Sequence, residues 1–173
     1  MTFSEEVAWI TGSSTGIGRA AALALAEQGC RVVVHYNRGE DEAREVVEGI
    51  TSSGGQAALV GGDVSDAGEV ERMVGEIEER YGRLDILVNN AGVIRRAPAI
   101  EFGEEDWEDV VKINLSSLWY LSQAAARRFV EQGGGGKIVN LASVLSFSGG
   151  IVVPSYAATK GAVANLTRAL ANE

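Results

Sequence analysis

Short apolar segments alternate with longer segments of helical periodicity along this 173-residue chain. The apolar segments predict strands at residues 7–11, 31–36, 57–60, 84–89 and 137–141, and the periodic segments predict helices at 16–29, 40–53, 66–81, 104–132 and 155–172. Strands that alternate with helices form parallel sheets covered on both faces, because each crossover lays a helix over the sheet. The predicted fold class is therefore α/β, a doubly wound parallel sheet of five strands in the order 3-2-1-4-5. The length suits one domain, residues 1–173.

A glycine-rich turn follows the first predicted strand. Its sequence, TGSSTGIG at residues 11–18, leads directly into the first predicted helix. Glycine at positions 12, 16 and 18 leaves room for a pyrophosphate to approach backbone N–H groups at the helix N-terminus. The spacing G-x-x-x-G-x-G is wider than the G-x-G-x-x-G fingerprint, yet the strand, the turn and the helix of a dinucleotide site are all present. The turn predicts a Rossmann-type nucleotide site, with an ordinary turn as the alternative.

Tyr156 and Lys160 lie four residues apart in the last predicted helix, and Ser143 follows the last predicted strand. Positions i and i+4 share one face of a helix, so the phenol and the ammonium can point into a single site. The cation favours ionised tyrosine, and the Ser143 hydroxyl can hydrogen-bond a substrate oxygen. These are groups suited to general acid–base catalysis, although an amphipathic helix can also carry such a pair by chance.

Acidic residues outnumber basic ones, and the formal net charge is −9 at pH 7. Such a charge repels nucleic acid and anionic membranes, so we expect neither as a partner. The chain has a single cysteine, Cys30, and the first residues, MTFSEEVAWIT, lack the basic and long apolar regions of a signal peptide. We therefore expect a cytoplasmic protein that acts on a small molecule and has no metal site.

Several motifs, taken together and in order, resemble the short-chain dehydrogenase/reductase family. They are TGSSTGIG at 11–18, Asp63-Val64, NNAG at 89–92, Asn114, Ser143 and YAATK at 156–160. The resemblance implies an NAD(P)-dependent oxidoreductase that interconverts alcohols and ketones, with Tyr156 as general acid and base. Lys160 would favour the ionised tyrosine and hold the nicotinamide ribose, and Ser143 would orient the substrate carbonyl. Asn114 would anchor a water that relays protons to Lys160.

The same resemblance implies a set of cofactor contacts, with Asp63 at the adenine and the NNAG segment packed against the cofactor. The set is Gly12, Ser14, Thr15, Gly16, Ile17, Gly18, Asn37, Arg38, Asp63, Val64, Asn90, Ala91, Gly92, Tyr156 and Lys160. Some of these residues also have structural interpretations. Asn114 suits a cap or a break in the helix at 104–132, and Asp63 suits a helix cap, although Asp66 is better placed for that role. Asn89 and Asn90 suit a simple turn.

The segment HYNR, residues 35–38, bears on the choice of cofactor. Tyr36 stands about where an NAD-selective acid is expected, and Asn37 and Arg38 follow it. A basic residue there accommodates a 2′-phosphate, so we expect NADP. NAD stays open, because Thr15 stands where many NADP-preferring relatives carry a second basic residue. His35 lies at a strand end beside the adenosine site, where we expect a packing role.

Two stretches, NNAGVIRRAPA and LSFSGGIVVPSYAATKGAVANLTRALANE, resemble family members that act on sugar acids, such as gluconate and deoxygluconate dehydrogenases. The first half of the chain is more similar to 3-oxoacyl-carrier-protein reductases. Arg95 and Arg96 could receive a substrate carboxylate, because arginine matches carboxylate geometry. Two exposed loop arginines without a specific role are the alternative.

The sequence ends inside the helix of Tyr156 and Lys160, whereas relatives in the family continue with further strands and a substrate loop. We therefore expect the segment at 137–141 to form a sheet edge, the substrate side of Tyr156 to be open, and the chain to be a homodimer or homotetramer. The expected interface is this edge or the helices at 104–132 and 155–172. A nucleotide-binding or self-associating domain without turnover is the alternative function.

Overall fold

The computed structural model describes residue 3 and residues 5–173. Its five strands are β1 (Val7–Ile10), β2 (Arg31–Tyr36), β3 (Gln56–Gly61), β4 (Ile86–Asn89) and β5 (Lys137–Asn140). All neighbouring strands are parallel, in the order β3-β2-β1-β4-β5. This order confirms the predicted doubly wound sheet. It also places the carboxyl ends of all five strands along one side, where ligands bind in folds of this class.

In the part of the chain that the structure describes, seven α-helices connect and flank the strands. They are α1 (Gly16–Glu27), α2 (Glu40–Ser52), α3 (Ala67–Tyr81), α4 (Glu104–Val111), α5 (Ser117–Glu131), α6 (Leu145–Ser148) and α7 (Pro154–Leu170). Asp66 caps α3, because its carboxylate accepts hydrogen bonds from the backbone of Gly68 at 2.8 Å and Glu69 at 3.1 Å. Gly82 ends the same helix in the left-handed region, at φ 71°.

The helix predicted at 104–132 is present but contains a π-helical turn at Lys112–Ser116, which joins α4 to α5. The alternatives of a cap or a break at Asn114 are therefore wrong. The extra residue is accommodated inside a continuous helix, as in other π-bulges. The Asn114 side chain bonds the backbone of Val93, accepting from its N–H at 2.7 Å and donating to its carbonyl at 2.8 Å. The bulge thus fastens the segment after β4 to the helix layer.

The core has two halves, one on each face of the sheet. Alternate strand residues point to opposite faces, so Trp9 and Leu87 pack towards α3 and α5, whereas Ile10 and Val34 pack towards α1 and α2. All four side chains are at most 2% exposed. The central strands are therefore covered on both faces, as their continuous apolar sequences predict.

β5 lies at one edge of the sheet, which confirms the edge predicted for the segment at 137–141. Val139 is 50% exposed, whereas Ile138 packs against the core. The sequence KIVNLAS, which begins at Lys137, is typical of a strand covered on both faces, and the exposure of Val139 corrects that expectation for one face. Within residue 3 and residues 5–173, no helix combines the length and the apolar character needed to cross a membrane.

Candidate active site

The glycine turn is held in place by the segment that follows β4. Gly12 has φ 61°, a conformation that suits glycine. The Asn90 amide donates to the carbonyls of Thr11 at 2.8 Å and Gly12 at 2.9 Å. A Cβ on Gly12 would lie 3.1 Å from the Ala91 Cα atom. The Asn90 side chain and Ala91 therefore help to hold the glycine turn, and the Asn90 amide nitrogen is engaged there.

Gly18 and Gly16 serve the turn in different ways. A Cβ on Gly18 would lie 2.5 Å from both the Asn90 Nδ2 atom and the Gly12 carbonyl oxygen, so only glycine fits there without displacing the turn. Gly16, at φ 57°, has no atom within 4 Å of its Cβ position. Thr15 precedes α1 and, among the described residues, makes no capping hydrogen bond with its side chain. The Thr15 side chain therefore leaves the first N–H groups of α1 uncapped, as an anion-binding helix N-terminus requires.

Asp63 lies beyond β3, three positions before Asp66, the cap of α3. Burial alone would raise the pKa of the Asp63 carboxyl, but hydrogen bonds from Ser65 and the charge of Lys112 bring it below its usual value. The Ser65 N–H donates to this carboxylate at 2.9 Å. Because Asp66 caps α3, Asp63 does not serve as the cap of that helix. Val64 is 3% exposed and packs in the core, so it can offer a ligand only its backbone.

The predicted 2′-phosphate site lies at the end of β2. Asn37 and Arg38 are exposed, and Arg38 forms no ion pair with any residue that the structure describes. Tyr36 instead faces Glu40, whose hydrogen bond raises the pKa of the tyrosine, and Glu40 pairs with Arg44. Glu40 of α2 is therefore already engaged by Tyr36 and Arg44, and the exposed guanidinium of Arg38 can receive an anion.

Tyr156 and Lys160 line one cleft of about 380 Å³, together with Ile17, Asn90, Gly92 and Arg96. The Lys160 Nζ atom lies 5.7 Å from the centroid of the Tyr156 ring. It donates to the Leu141 carbonyl at 2.6 Å, and burial lowers the pKa of this lysine. Tyr156 is half-buried, whereas Lys160 is 6% exposed. The tyrosine is thus open to a substrate, while the lysine is desolvated beside it.

Ser143 lies at the start of α6, outside the lining of this cleft. Its hydroxyl oxygen accepts a hydrogen bond from the Leu145 N–H at 3.1 Å, which leaves the hydroxyl hydrogen available for donation. Ser146 holds the Ser143 backbone, because its hydroxyl accepts from the Ser143 N–H at 3.1 Å and donates to the Lys160 carbonyl at 2.7 Å. Ser146 of α6 therefore ties Ser143 to α7.

Arg95 and Arg96 have different surroundings, although they are adjacent in the sequence. The Arg95 guanidinium pairs with two carboxylates of α4, Asp109 at 2.5 Å and Asp106 at 3.3 Å. The expectation that Arg95 receives a substrate carboxylate is therefore wrong, because its charge is already matched. Arg96 is exposed and lines the cleft of Tyr156.

Sequence reasoning missed three contributors to the site. They are Ser146, the ring of His35, which contacts the glycine turn, and the side chain of Asn140, which joins Asn89 to Thr167 of α7. All three act through contacts between distant segments, which local periodicity does not reveal.

A larger cavity of about 520 Å³ lies at the opposite side of the sheet, beside Leu23, Cys30 and Ile50, and contains no residue of the predicted site.

The chain matches the family described as short chain dehydrogenase over residues 6–173. It is 48% identical over 168 residues to the 2-dehydro-3-deoxy-D-gluconate 5-dehydrogenase of Dickeya dadantii, covering 97% of this chain and 65% of that protein. It is 39% identical over 166 residues to a 3-oxoacyl-[acyl-carrier-protein] reductase of Staphylococcus aureus, covering 96% and 67%. The chain thus spans about two thirds of the length of these curated relatives.

Among solved structures, the fold resembles a gluconate 5-dehydrogenase from Burkholderia cenocepacia in complex with NADP and tartrate. The TM-score is 0.91 at 38% identity, over 98% of this chain and 66% of that one. Both groups that the sequence resembles, the sugar-acid dehydrogenases and the 3-oxoacyl reductases, are therefore represented among its relatives. This chain belongs to the short-chain dehydrogenase family.

Proposed function

We propose that the protein is an NADP-dependent oxidoreductase that interconverts a secondary alcohol and a ketone. The observation that carries the proposal is the shared cleft, in which Tyr156 and Lys160 face Ile17 of the glycine turn and Asn90 and Gly92 of the segment after β4. An acid–base pair placed beside a nucleotide-binding turn is the arrangement that hydride transfer to a carbonyl requires.

The residues present fit a dinucleotide phosphate. The N–H groups in the first turn of α1, which the Thr15 side chain does not cap, suit the pyrophosphate, and the open space at Gly16 admits it. The exposed and unpaired guanidinium of Arg38 suits a 2′-phosphate. Asp63, held as a carboxylate by Ser65, suits a donor on the adenine. When bound, NADPH would supply the hydride.

In the reductive direction, Tyr156 would donate its phenolic proton to the carbonyl oxygen as the alcohol forms. Ser143 would donate its free hydroxyl hydrogen to the same oxygen and orient the substrate. Lys160 would stabilise the tyrosinate that results, and its burial makes this ammonium readier to release a proton. Asn114 would serve through its backbone, because Val93 engages both polar atoms of its side-chain amide.

The position of Arg96 in the cleft favours a substrate that carries a carboxylate, such as a keto sugar acid. It is the arginine of the cleft, and its neighbour Arg95 is neutralised by α4. A guanidinium can bind a carboxylate with two parallel hydrogen bonds, and this gives both affinity and orientation. The tartrate present in the Burkholderia cenocepacia structure is itself a hydroxy diacid, which is in keeping with this class of ligand.

The test combines cofactor titration with turnover. NADPH and NADH binding are measured by fluorescence, and NADPH oxidation is followed with a keto sugar acid, its methyl ester and a 3-oxoacyl thioester. We expect NADPH to bind more tightly than NADH and the acid to be the best substrate. Arg96→Ala should raise KM for the acid but not for the ester, and Arg95→Ala is the matched control. Binding without any turnover would instead favour a nucleotide-binding domain.

We also propose that the protein is a homodimer or homotetramer. A shallow groove of about 290 Å³ lies between α5 and α7, lined by Trp119, Tyr120, Leu166 and residues of the π-turn. Trp119 is 42% exposed. A large aromatic side chain exposed beside an apolar groove is typical of an interface.

A further inference from the structure

His35, the single histidine of the chain, is buried between the glycine turn and the end of β3. It is 1% exposed. The Gly12 N–H donates to its Nδ1 atom at 2.9 Å, and its Nε2 atom lies 3.1 Å from the Gly62 carbonyl oxygen. Nδ1 must carry a lone pair to accept from an N–H, so the hydrogen is on Nε2 and is donated to Gly62. The ring is therefore a neutral imidazole with both nitrogens engaged.

The backbone of His35 holds the same turn from a second direction. Its N–H donates to the Ser13 hydroxyl oxygen at 2.9 Å, and its carbonyl accepts from the Ser13 N–H at 2.9 Å. Asn90 holds the Gly12 carbonyl on the other side of the turn. The amide and the carbonyl of Gly12 are thus fixed by two side chains. The Gly12 N–H is consequently unavailable to a phosphate, and the position of this residue determines where the following N–H groups point.

The two nitrogens of His35 join two separate parts of the proposed cofactor site. Nδ1 reaches the turn between β1 and α1, which would hold the pyrophosphate, and Nε2 reaches Gly62 beside Asp63, which would hold the adenine. These segments are far apart in the chain. One ring therefore sets the distance between the groups that would hold the two ends of the adenosine diphosphate moiety.

We propose that His35 is a positioning residue for the cofactor, which holds the glycine turn through Gly12 and aligns it with the Gly62–Asp63 segment. It never touches the cofactor. Its effect on affinity passes through the orientation of the α1 N-terminus and of Asp63. This inference rests on the proposed NADP-binding function and goes beyond it, because it assigns a role to a residue outside the cleft.

A packing role is the competing explanation, because the ring meets Trp9 edge-on with 6.3 Å between centroids. The two explanations differ in which substitutions restore binding. In His35→Asn, the amide oxygen occupies the position of Nδ1 and can accept from Gly12. In His35→Gln, the amide nitrogen occupies the position of Nε2 and can donate to Gly62. His35→Leu fills the space without either bond.

The experiment measures NADPH and NADH dissociation constants for the wild type and these three variants, well below each melting temperature. We expect His35→Asn to bind about threefold more weakly than the wild type because it loses only the Gly62 bond, and His35→Gln about tenfold more weakly because it loses the Gly12 bond. His35→Leu lacks both bonds and should bind more weakly still. Rescue by asparagine and not by glutamine has no explanation in packing alone, because the larger glutamine fills more of the ring's volume.

Equal affinities for all four proteins, or affinities that follow melting temperature alone, would overturn the inference and leave the proposed function standing. A wild type that binds neither NADPH nor NADH would overturn both. Equal weakening in His35→Asn and His35→Leu would also overturn the inference, because the Gly12 contact would then carry no binding energy.

Discussion

Arg38 lies just beyond β2, where the side chain that distinguishes a ribose 2′-phosphate from a 2′-hydroxyl is expected. Arg38→Ala should weaken NADP(H) binding by roughly tenfold or more, because a charge-assisted hydrogen bond contributes about 1.5–3 kcal/mol, and should leave NAD(H) binding nearly unchanged. Arg80→Ala is the matched control, because Arg80 is also exposed but lies in the last turn of α3. An equal loss of affinity for both cofactors in the Arg38 variant would show that Arg38 does not bind the 2′-phosphate.

His35 also makes the stability of the fold depend on pH. Burial lowers the pKa of His35 to about 4, although the Gly62 bond and the charge of Asp63 act in the opposite direction. The unfolded chain binds a proton near pH 6.5 and the folded chain does not, so stability is lost as the pH falls from about 6.5 to 4. Between pH 7 and pH 5 the loss should be about 2 kcal/mol.

Urea unfolding of the wild type and His35→Asn at both pH values measures this effect. Asparagine does not titrate, so the stability difference between the two proteins isolates the histidine from the carboxylates. We expect the advantage of the wild type to shrink by about 2 kcal/mol at pH 5. An unchanged difference would mean that His35 is protonated equally in the folded and unfolded chains.

The residue types of the site were predictable, but their hydrogen-bond and ion-pair partners were not. Arg95 and Arg96 are identical neighbours in the sequence, and only the fold shows that α4 neutralises the first of them. In the same way, His35 was expected to pack, and its ring proves to bond a backbone N–H that lies 23 positions away. Contacts of this kind depend on which loops the sheet brings together, and no local pattern records them.

At the scale of elements, a substitution at Gly18 tests how tightly the glycine turn packs against the segment after β4. Gly18→Ala should destabilise the protein by about 1–3 kcal/mol, because its Cβ would lie 2.5 Å from two polar atoms. Gly49→Ala is the matched control in a helix, since nothing lies within 4 Å of its Cβ position and alanine favours a helix by about 1 kcal/mol. Urea unfolding measures both, and equal effects would contradict the tight contact at Gly18.

The strands and their order were predictable because a parallel sheet that is buried on both faces needs apolar strands and amphipathic helices. Both features are visible in the local sequence. The predicted ends of the strands and helices differ from the observed ends by one or two residues, as at β4, which begins at Ile86 rather than at residue 84. The π-turn at Lys112–Ser116 was not predictable from local periodicity, and its Asn114 bonds Val93, which lies 21 positions earlier. The short helix α6 was missed as well, because four residues carry too little periodicity to detect.

At the scale of the whole molecule, the exposed groove between α5 and α7 predicts association. Trp119→Glu should shift the protein to monomer, because the charge would have to be buried at the interface. Trp107→Glu is the matched control, since Trp107 is 43% exposed but lies on α4 outside the groove. Light scattering coupled to size-exclusion chromatography measures the mass. A monomeric wild type, or equal dissociation of both variants, would contradict this interface.

The central claim is that Tyr156 transfers the proton while the glycine turn holds the cofactor, and one comparison tests it most directly. NADPH oxidation with a keto sugar acid is measured for the wild type and Tyr156→Phe beside NADPH titration of both. The account predicts that turnover falls by about 100- to 10,000-fold while NADPH affinity stays nearly the same, because phenylalanine keeps the ring and lacks the proton. Equal turnover in the two proteins would contradict the account.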